Sequence, residues 1–300
     1  MRSERLLLRA RQIESAPHAG ISIAPMDFQV ERGELVAVFG PAGSGKSLLL
    51  GLIAGEVPLE AGVLECADVA TIPDLIPTRS MRTATPISLL KRYAESWTRA
   101  VYLIELFGLG AYMETPVGQL STSQRAMLQV ACALAQRGPL YLLDDPFDRA
   151  DFEQVRRLWS ELEDRSRFGG AVLFTTRQPD AAQCADRVLM LDQGILLADD
   201  TPQHLIEGLN ATRIEVELIE PEPLLPILQE VELRIVELEE GYRLSLYAPD
   251  TLALRLLREG YGNVKSVILH PPDLADAWHW LHLQAHSKRR VPFLHRKEEE

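Results

Sequence analysis

The chain has 300 residues, 46% of them hydrophobic and 25% charged, which is enough for about two soluble domains with cores of their own. A formal net charge of -12 argues against a nucleic-acid partner, which asks for a basic face. No apolar run approaches the length of a membrane helix, and the Leu6-Leu7-Leu8 start is far too short for a secretory signal.

In chain order, Ile21 to Val30 alternates as a strand entering the turn Glu31-Arg32-Gly33-Glu34, and the apolar run Leu35 to Phe39 is a buried strand. A glycine loop and a helix beginning at Ser47 come next. Val63 to Thr71 reads as strand, and residues 73–86, with Pro73, Pro77 and Pro86, as loop. Apolar spacing predicts helix from Ile87 to Phe107. Leu140 to Leu143 is a buried strand ending in Asp144 and Asp145, Phe152 to Phe168 an amphipathic helix, and Ala171 to Thr175 another buried strand. Strands alternating with helices predict an α/β domain over residues 1–208, with a mostly parallel sheet and its ligand at the strands' C-terminal ends.

The pattern changes at Gly208-Leu209-Asn210. Strands are predicted at Arg213–Ile219, Leu233–Leu238, Tyr242–Tyr247 and Val264–Leu269. Helices are predicted at Pro223–Val231, Thr251–Arg258 and Leu274–Ala285. This order gives residues 209–286 a small α+β fold of ferredoxin-like type, followed by a charged tail over 287–300. His270, His279, His282 and His286 have no Cys or paired acid to complete a metal site. The three cysteines, Cys66, Cys132 and Cys184, are scattered in apolar segments and read as reduced core residues.

Chemistry concentrates in Gly40-Pro41-Ala42-Gly43-Ser44-Gly45-Lys46-Ser47, which fits G-x-x-x-x-G-K-[ST] between a buried strand and a helix. The glycines let backbone N–H groups close around phosphate oxygens, and the positive end of the helix faces the same anion. Lys46 is expected on the β and γ phosphates of a nucleoside triphosphate, and Ser47 on Mg²⁺.

With these residues, about residues 20–207 resemble the ATP-binding subunit of an ABC (ATP-binding cassette) transporter, with a helical subdomain inserted in a P-loop ATPase domain. The resemblance implies ATP and Mg²⁺ as ligands. It makes Asp144 the Walker B metal ligand and puts Asp145 where a glutamate usually polarises the attacking water. Leu120-Ser121-Thr122-Ser123-Gln124 resembles the Leu-Ser-Gly-Gly-Gln signature, keeping Ser121 and Gln124 but replacing both glycines. The Q-loop glutamine falls at Asp74, the switch histidine at Thr176, and the D-loop aspartate at Asp151. The phosphate loop and Asp144 are intact while four catalytic or sensing positions are altered, so binding is expected to survive better than hydrolysis.

Pro271 to Trp278 resembles the tail segment on ATP subunits of ABC-2 type exporters. That implies a separate transmembrane permease, a homo- or heterodimer with another such ATPase domain, and a cytoplasmic place on the membrane face. Three readings stand: a slow ATPase driving an exporter, an impaired ATP-binding switch paired with an active paralogue, or a soluble ABC-type regulator.

Overall fold

A computed structural model describes residues 5–18, 20–71, 83–209, 212–220, 233–238, 241–248, 250–260 and 262–286. The chain divides into two compact units, Met1–Pro202 and Gln203–Glu300.

The first unit is built on a six-stranded sheet. Its strands are β3 (Leu35–Phe39), β5 (Val69–Thr71), β6 (Leu140–Leu143), β7 (Ala171–Thr176), β8 (Arg187–Asp192) and β9 (Ile195–Asp200). They lie in the order β5-β6-β7-β3-β8-β9. All pairs are parallel except β8 with β9. Every residue of β3, β6 and β7 is buried. That is why these segments read as unbroken apolar runs: a parallel sheet is covered on both faces.

A second, antiparallel sheet has the order β2-β1-β4, from β1 (Leu6–Ser15), β2 (Met26–Glu31) and β4 (Leu59–Cys66). Apolar residues from it, among them Leu8, Ile13, Phe28 and Val30, join Val36, Val38 and Leu173 of the main sheet in one core. Helix α1 (Lys46–Ile53) contributes Leu49, Leu50, Leu52 and Ile53 to the same core.

The helical part comprises α2 (Pro86–Tyr93), α3 (Trp97–Leu106) and α4 (Thr122–Ala135), packed on one another. Two further helices are α5 (Phe152–Arg167) and the short α6 (Pro179–Gln183). A charged node secures this part. Glu161 on α5, only 4% exposed, pairs with Arg99 on α3 and with Arg165 at 3.0 Å, and accepts from Tyr102 Oη at 3.1 Å. Arg165 also donates to the Leu134 carbonyl of α4 at 2.6 Å and to Tyr141 Oη of β6 at 2.6 Å.

Several local expectations shift. The helix expected over Ile87–Phe107 is two, because Ala94 is extended and Ser96 caps α3 by accepting from Arg99 N–H. The strand expected over Val63–Thr71 divides into β4 and β5, which belong to different sheets. Strand β1, the β8–β9 pair and α6 were not expected. Of the cysteines, only Cys132 is buried, with its thiol pushed up to about 12 by desolvation. Cys66 is exposed because β4 is an edge strand with most of its residues open to solvent, and Cys184 is exposed at the end of α6.

The second unit begins near α7 (Pro202–Glu207). Its sheet holds β10 (Thr212–Leu218), β11 (Leu233–Leu238), β12 (Gly241–Ala248) and β13 (Val264–His270). The order is β11-β12-β10-β13, antiparallel throughout, the strand order of a ferredoxin-like sheet. Helix α8 (Asp250–Glu259) places Ala253 and Leu256 in a core with Ile214, Val216, Leu244 and Leu246, and α9 (Leu274–His286) closes the described chain. The helix expected at Pro223–Val231 and the tail 287–300 lie outside the described residues. His270 Nε2 stands 3.4 Å from Glu215 and His282 stacks on Trp278. Among the described residues no His, Cys, Asp or Glu cluster of metal-binding size occurs.

Candidate nucleotide site

Strand β3 lies between β7 and β8, so the loop leaving Phe39 emerges at the centre of the sheet edge. The first loop residue cannot carry a side chain. A Cβ on Gly40 would stand 2.3 Å from the Leu191 carbonyl of β8 and 2.7 Å from Ser44 Oγ. Gly45 has φ 99°, a left-handed conformation that glycine adopts freely, and it is the N-cap of α1. The loop is fastened from behind: Gly194, in the β8–β9 turn, donates its N–H to the Ser44 carbonyl at 2.8 Å and accepts from Ala24 N–H at 2.9 Å.

Lys46, 6% exposed, folds back over the loop. Its Nζ donates to the carbonyls of Gly40 (2.8 Å) and Pro41 (2.7 Å) and to Ser44 Oγ (3.3 Å). All three acceptors are uncharged. Burial pushes the ammonium below its ordinary pKa, and the charges of Asp145 and Asp144 oppose that shift. A loop with glycine at positions 40, 43 and 45, a helix N-terminus and a desolvated cation fit the phosphates of a nucleotide.

Asp144 follows β6 and reaches the loop across β7. Ser47 Oγ donates to Asp144 Oδ1 at 3.1 Å, and Thr175 Oγ1 donates to the same oxygen at 2.5 Å. The Asp145 N–H in turn donates to Thr175 Oγ1 at 2.7 Å. The Ser47 and Asp144 oxygens are hard donors of the kind Mg²⁺ takes, and two protein ligands leave the rest to phosphate and water. Held there, such an ion would offset the negative charge of a bound phosphate group. Thr175 fixes the Asp144 carboxylate through its hydrogen bond, and Lys46 would supply positive charge to a phosphate bound at the loop.

Asp145 sits at φ 43°, unusual for a residue with a side chain. Its carboxylate lies 3.6 Å from Arg177 Nε, and Arg177 also pairs with Asp148. Burial raises the Asp145 pKa, the neighbouring Asp144 adds to this, and Lys46 and Arg177 oppose it.

The remaining expected residues make other contacts. Thr176 is buried opposite Phe39 in the sheet, and its hydroxyl accepts from Gln178 N–H at 3.0 Å. Ser121 and Gln124 form a capping box at the start of α4, each side chain accepting from the other's backbone N–H. Ser123 Oγ donates to the Arg149 carbonyl at 2.6 Å, tying the head of α4 to the segment after Asp145. Asp151 caps α5 in a box with Gln154. Asp74 lies outside the described residues. The structure thus brings Gly40–Ser47, Asp144 and Asp145 together, and adds Thr175, Arg177 and Gly194. Thr175 had left a signal: a hydroxyl at the end of an otherwise apolar buried strand.

The family described as "ABC transporter" matches residues 23–148, which take in the phosphate loop, the head of α4 and the Asp144–Asp145 pair. The chain carries an ABC transporter ATP-binding domain. Its relatives include the doxorubicin resistance ATP-binding protein DrrA of Mycobacterium tuberculosis, 23% identical over 85% of this chain and 84% of that protein. The Nod factor export ATP-binding protein I of Sinorhizobium fredii is 24% identical over 86% and 80%. An Fe(3+) ions import ATP-binding protein, FbpC of Streptomyces coelicolor, is 33% identical over 58% and 56%. A solved ATP-binding subunit of an ABC transporter shares the fold with a TM-score of 0.60 at 21% identity, over 67% of this chain and 92% of that one. A dimeric ATP-binding cassette with ADP and phosphate bound gives 0.57 at 18% identity, over 65% and 98%. The ATP-binding domain is therefore that of a transporter subunit, and its relatives serve both import and export.

Proposed function

We propose that this chain is the ATP-binding subunit of an exporter. It binds ATP with Mg²⁺ and works, as one half of a dimer, on a separate transmembrane permease from the cytoplasmic face. The observation that carries the nucleotide reading is the Gly40–Ser47 loop, with Lys46 buried over it and Ser47 joined to Asp144. Export rests on coverage. The export and drug-resistance relatives align over 85% and 86% of the chain, a span that must enter the second unit. The import relatives align over 58% to 62%.

Hydrolysis is slow or conditional in this reading. Asp145 has the shorter acid, and a misplacement of about an ångström costs about a hundredfold in rate. Thr176 lacks an imidazole and already accepts from Gln178. A second reading, a nucleotide-gated switch that leaves turnover to a partner subunit, is favoured by one contact: the Asp145 carboxylate is paired with Arg177.

The test is ATP binding measured beside steady-state hydrolysis on the full chain with Mg²⁺, with Lys46→Ala as the blank. Binding with turnover above the blank supports the motor, and binding without turnover supports the switch. Absence of binding sinks the nucleotide site.

A further inference from the structure

We infer that Arg177 is the residue by which this site distinguishes a nucleoside triphosphate from a diphosphate, by leaving Asp145 and Asp148 for the terminal phosphate. The inference rests on the nucleotide-binding reading above and assigns a residue that the glycine loop does not contain. Arg177 follows directly on β7. Its predecessor Thr176 lies opposite Phe39 in the parallel β3–β7 pair, so Arg177 stands level with Gly40, where the phosphate loop begins. Its Nε is 3.6 Å from Asp145, the neighbour of the Asp144 that accepts from Ser47. Its charge is felt at Lys46, whose ammonium it pushes down, and at Asp145, an acid that both the loop cation and the strand-end cation act on.

The resting contacts are of a kind that exchanges readily. Arg177 is 46% exposed, and Asp145 and Asp148 are 35% and 36% exposed. Ion pairs this open to water are weakly held. A terminal phosphate offers a guanidinium several anionic oxygens and bidentate geometry, a stronger partner than either carboxylate. The exchange would also release the Asp145 carboxylate from its cation in the presence of triphosphate only. Thr176 is buried and accepts from Gln178 N–H, whereas Arg177 beside it is open to solvent and to a ligand.

The experiment measures dissociation constants for ATP and for ADP, each with Mg²⁺, by calorimetry in the cold on the full chain. Four proteins are compared: wild type, Arg177→Ala, Arg177→Lys and Asp148→Asn. Arg177→Ala is expected to weaken ATP by about tenfold and leave ADP unchanged. Arg177→Lys, which keeps the charge and loses the fork, falls between. Asp148→Asn loosens Arg177 and moves the ATP-to-ADP preference the other way, a sign that damage to the fold would not produce. A wild-type ATP-to-ADP ratio in Arg177→Ala, or equal losses for both nucleotides, overturns the role of Arg177. Failure of the wild type to bind either nucleotide overturns the site itself.

Discussion

Thr175→Val isolates the hydroxyl that joins the two acids of the site. Thr175 is fully buried, and its Oγ1 bridges the Asp144 carboxylate at 2.5 Å and the Asp145 N–H at 2.7 Å. Valine keeps the branched shape and removes both bonds. Asp144 is exposed, so water replaces its lost donor at small cost. The Asp145 N–H is the larger loss, since a partly buried donor left unpaired costs about 1–3 kcal/mol. For a unit of this size, each kcal/mol lowers Tm by about 2–4 °C, so the first unit should melt roughly 2–12 °C lower. Thr175→Ser is the control: it keeps the hydroxyl and loses one methyl, worth about 1 kcal/mol. Scanning calorimetry reads both melts, and titration with ATP at several Mg²⁺ concentrations reads the site. The valine variant should need more Mg²⁺ for the same ATP affinity, and the serine variant should not. If valine melts with the wild type while serine melts lower, packing holds this position and the hydroxyl bridge has no part in it.

Three further outcomes are expected. Gly40→Ala puts a Cβ 2.3 Å from a strand carbonyl, an overpacking cost of about 1–3 kcal/mol. It should abolish ATP binding, whereas Gly43→Ala, with nothing within 4 Å but a φ of 79°, should lose only about 1–2 kcal/mol of stability and keep measurable affinity. Asp145→Glu should raise steady-state ATP turnover above wild type if acid length limits the rate, read against Lys46→Ala. The left-handed φ of 43° makes the longer residue slightly less stable. Glu161→Leu leaves Arg99 and Arg165 without their carboxylate. Removing one member of such a buried cluster costs about 3–5 kcal/mol, and the first unit should unfold at correspondingly lower urea.

Much of the site could be read from residues. The octapeptide announces its chemistry because glycine spacing and a lysine have few other uses between a strand and a helix. Asp144 was legible as the end of an apolar strand, since a parallel sheet gathers strand ends at one edge. Arg177 was not, because only register against β3 puts a residue after one strand beside a loop after another. Gly194 was hidden for the same reason, 150 residues from the serine carbonyl it holds. Ser121, Gln124 and Asp151 illustrate a different limit. Family position suggests a ligand contact, while local chemistry gives each a helix cap, and sequence offers no way to rank the two uses. The apolar spacing of Ile87–Phe107 ran through a break because α2 and α3 present apolar faces to the same neighbours.

The β8–β9 turn carries a practical consequence. Tight hairpin turns are ordinarily where a chain accepts a tag, an inserted domain or new termini. Here the turn glycine has no room for even one carbon, since a Cβ on Gly194 would stand 1.8 Å from the Ser22 carbonyl. Its two backbone groups span Ser44 and Ala24, so a cut or an insertion there would slacken the phosphate loop from a point remote in sequence. A reporter group belongs instead at an open position such as Phe168, which is 90% exposed at the end of α5. A fluorophore there would leave the fastening of the loop untouched, while one placed at Gly194 would register its own damage as loss of nucleotide.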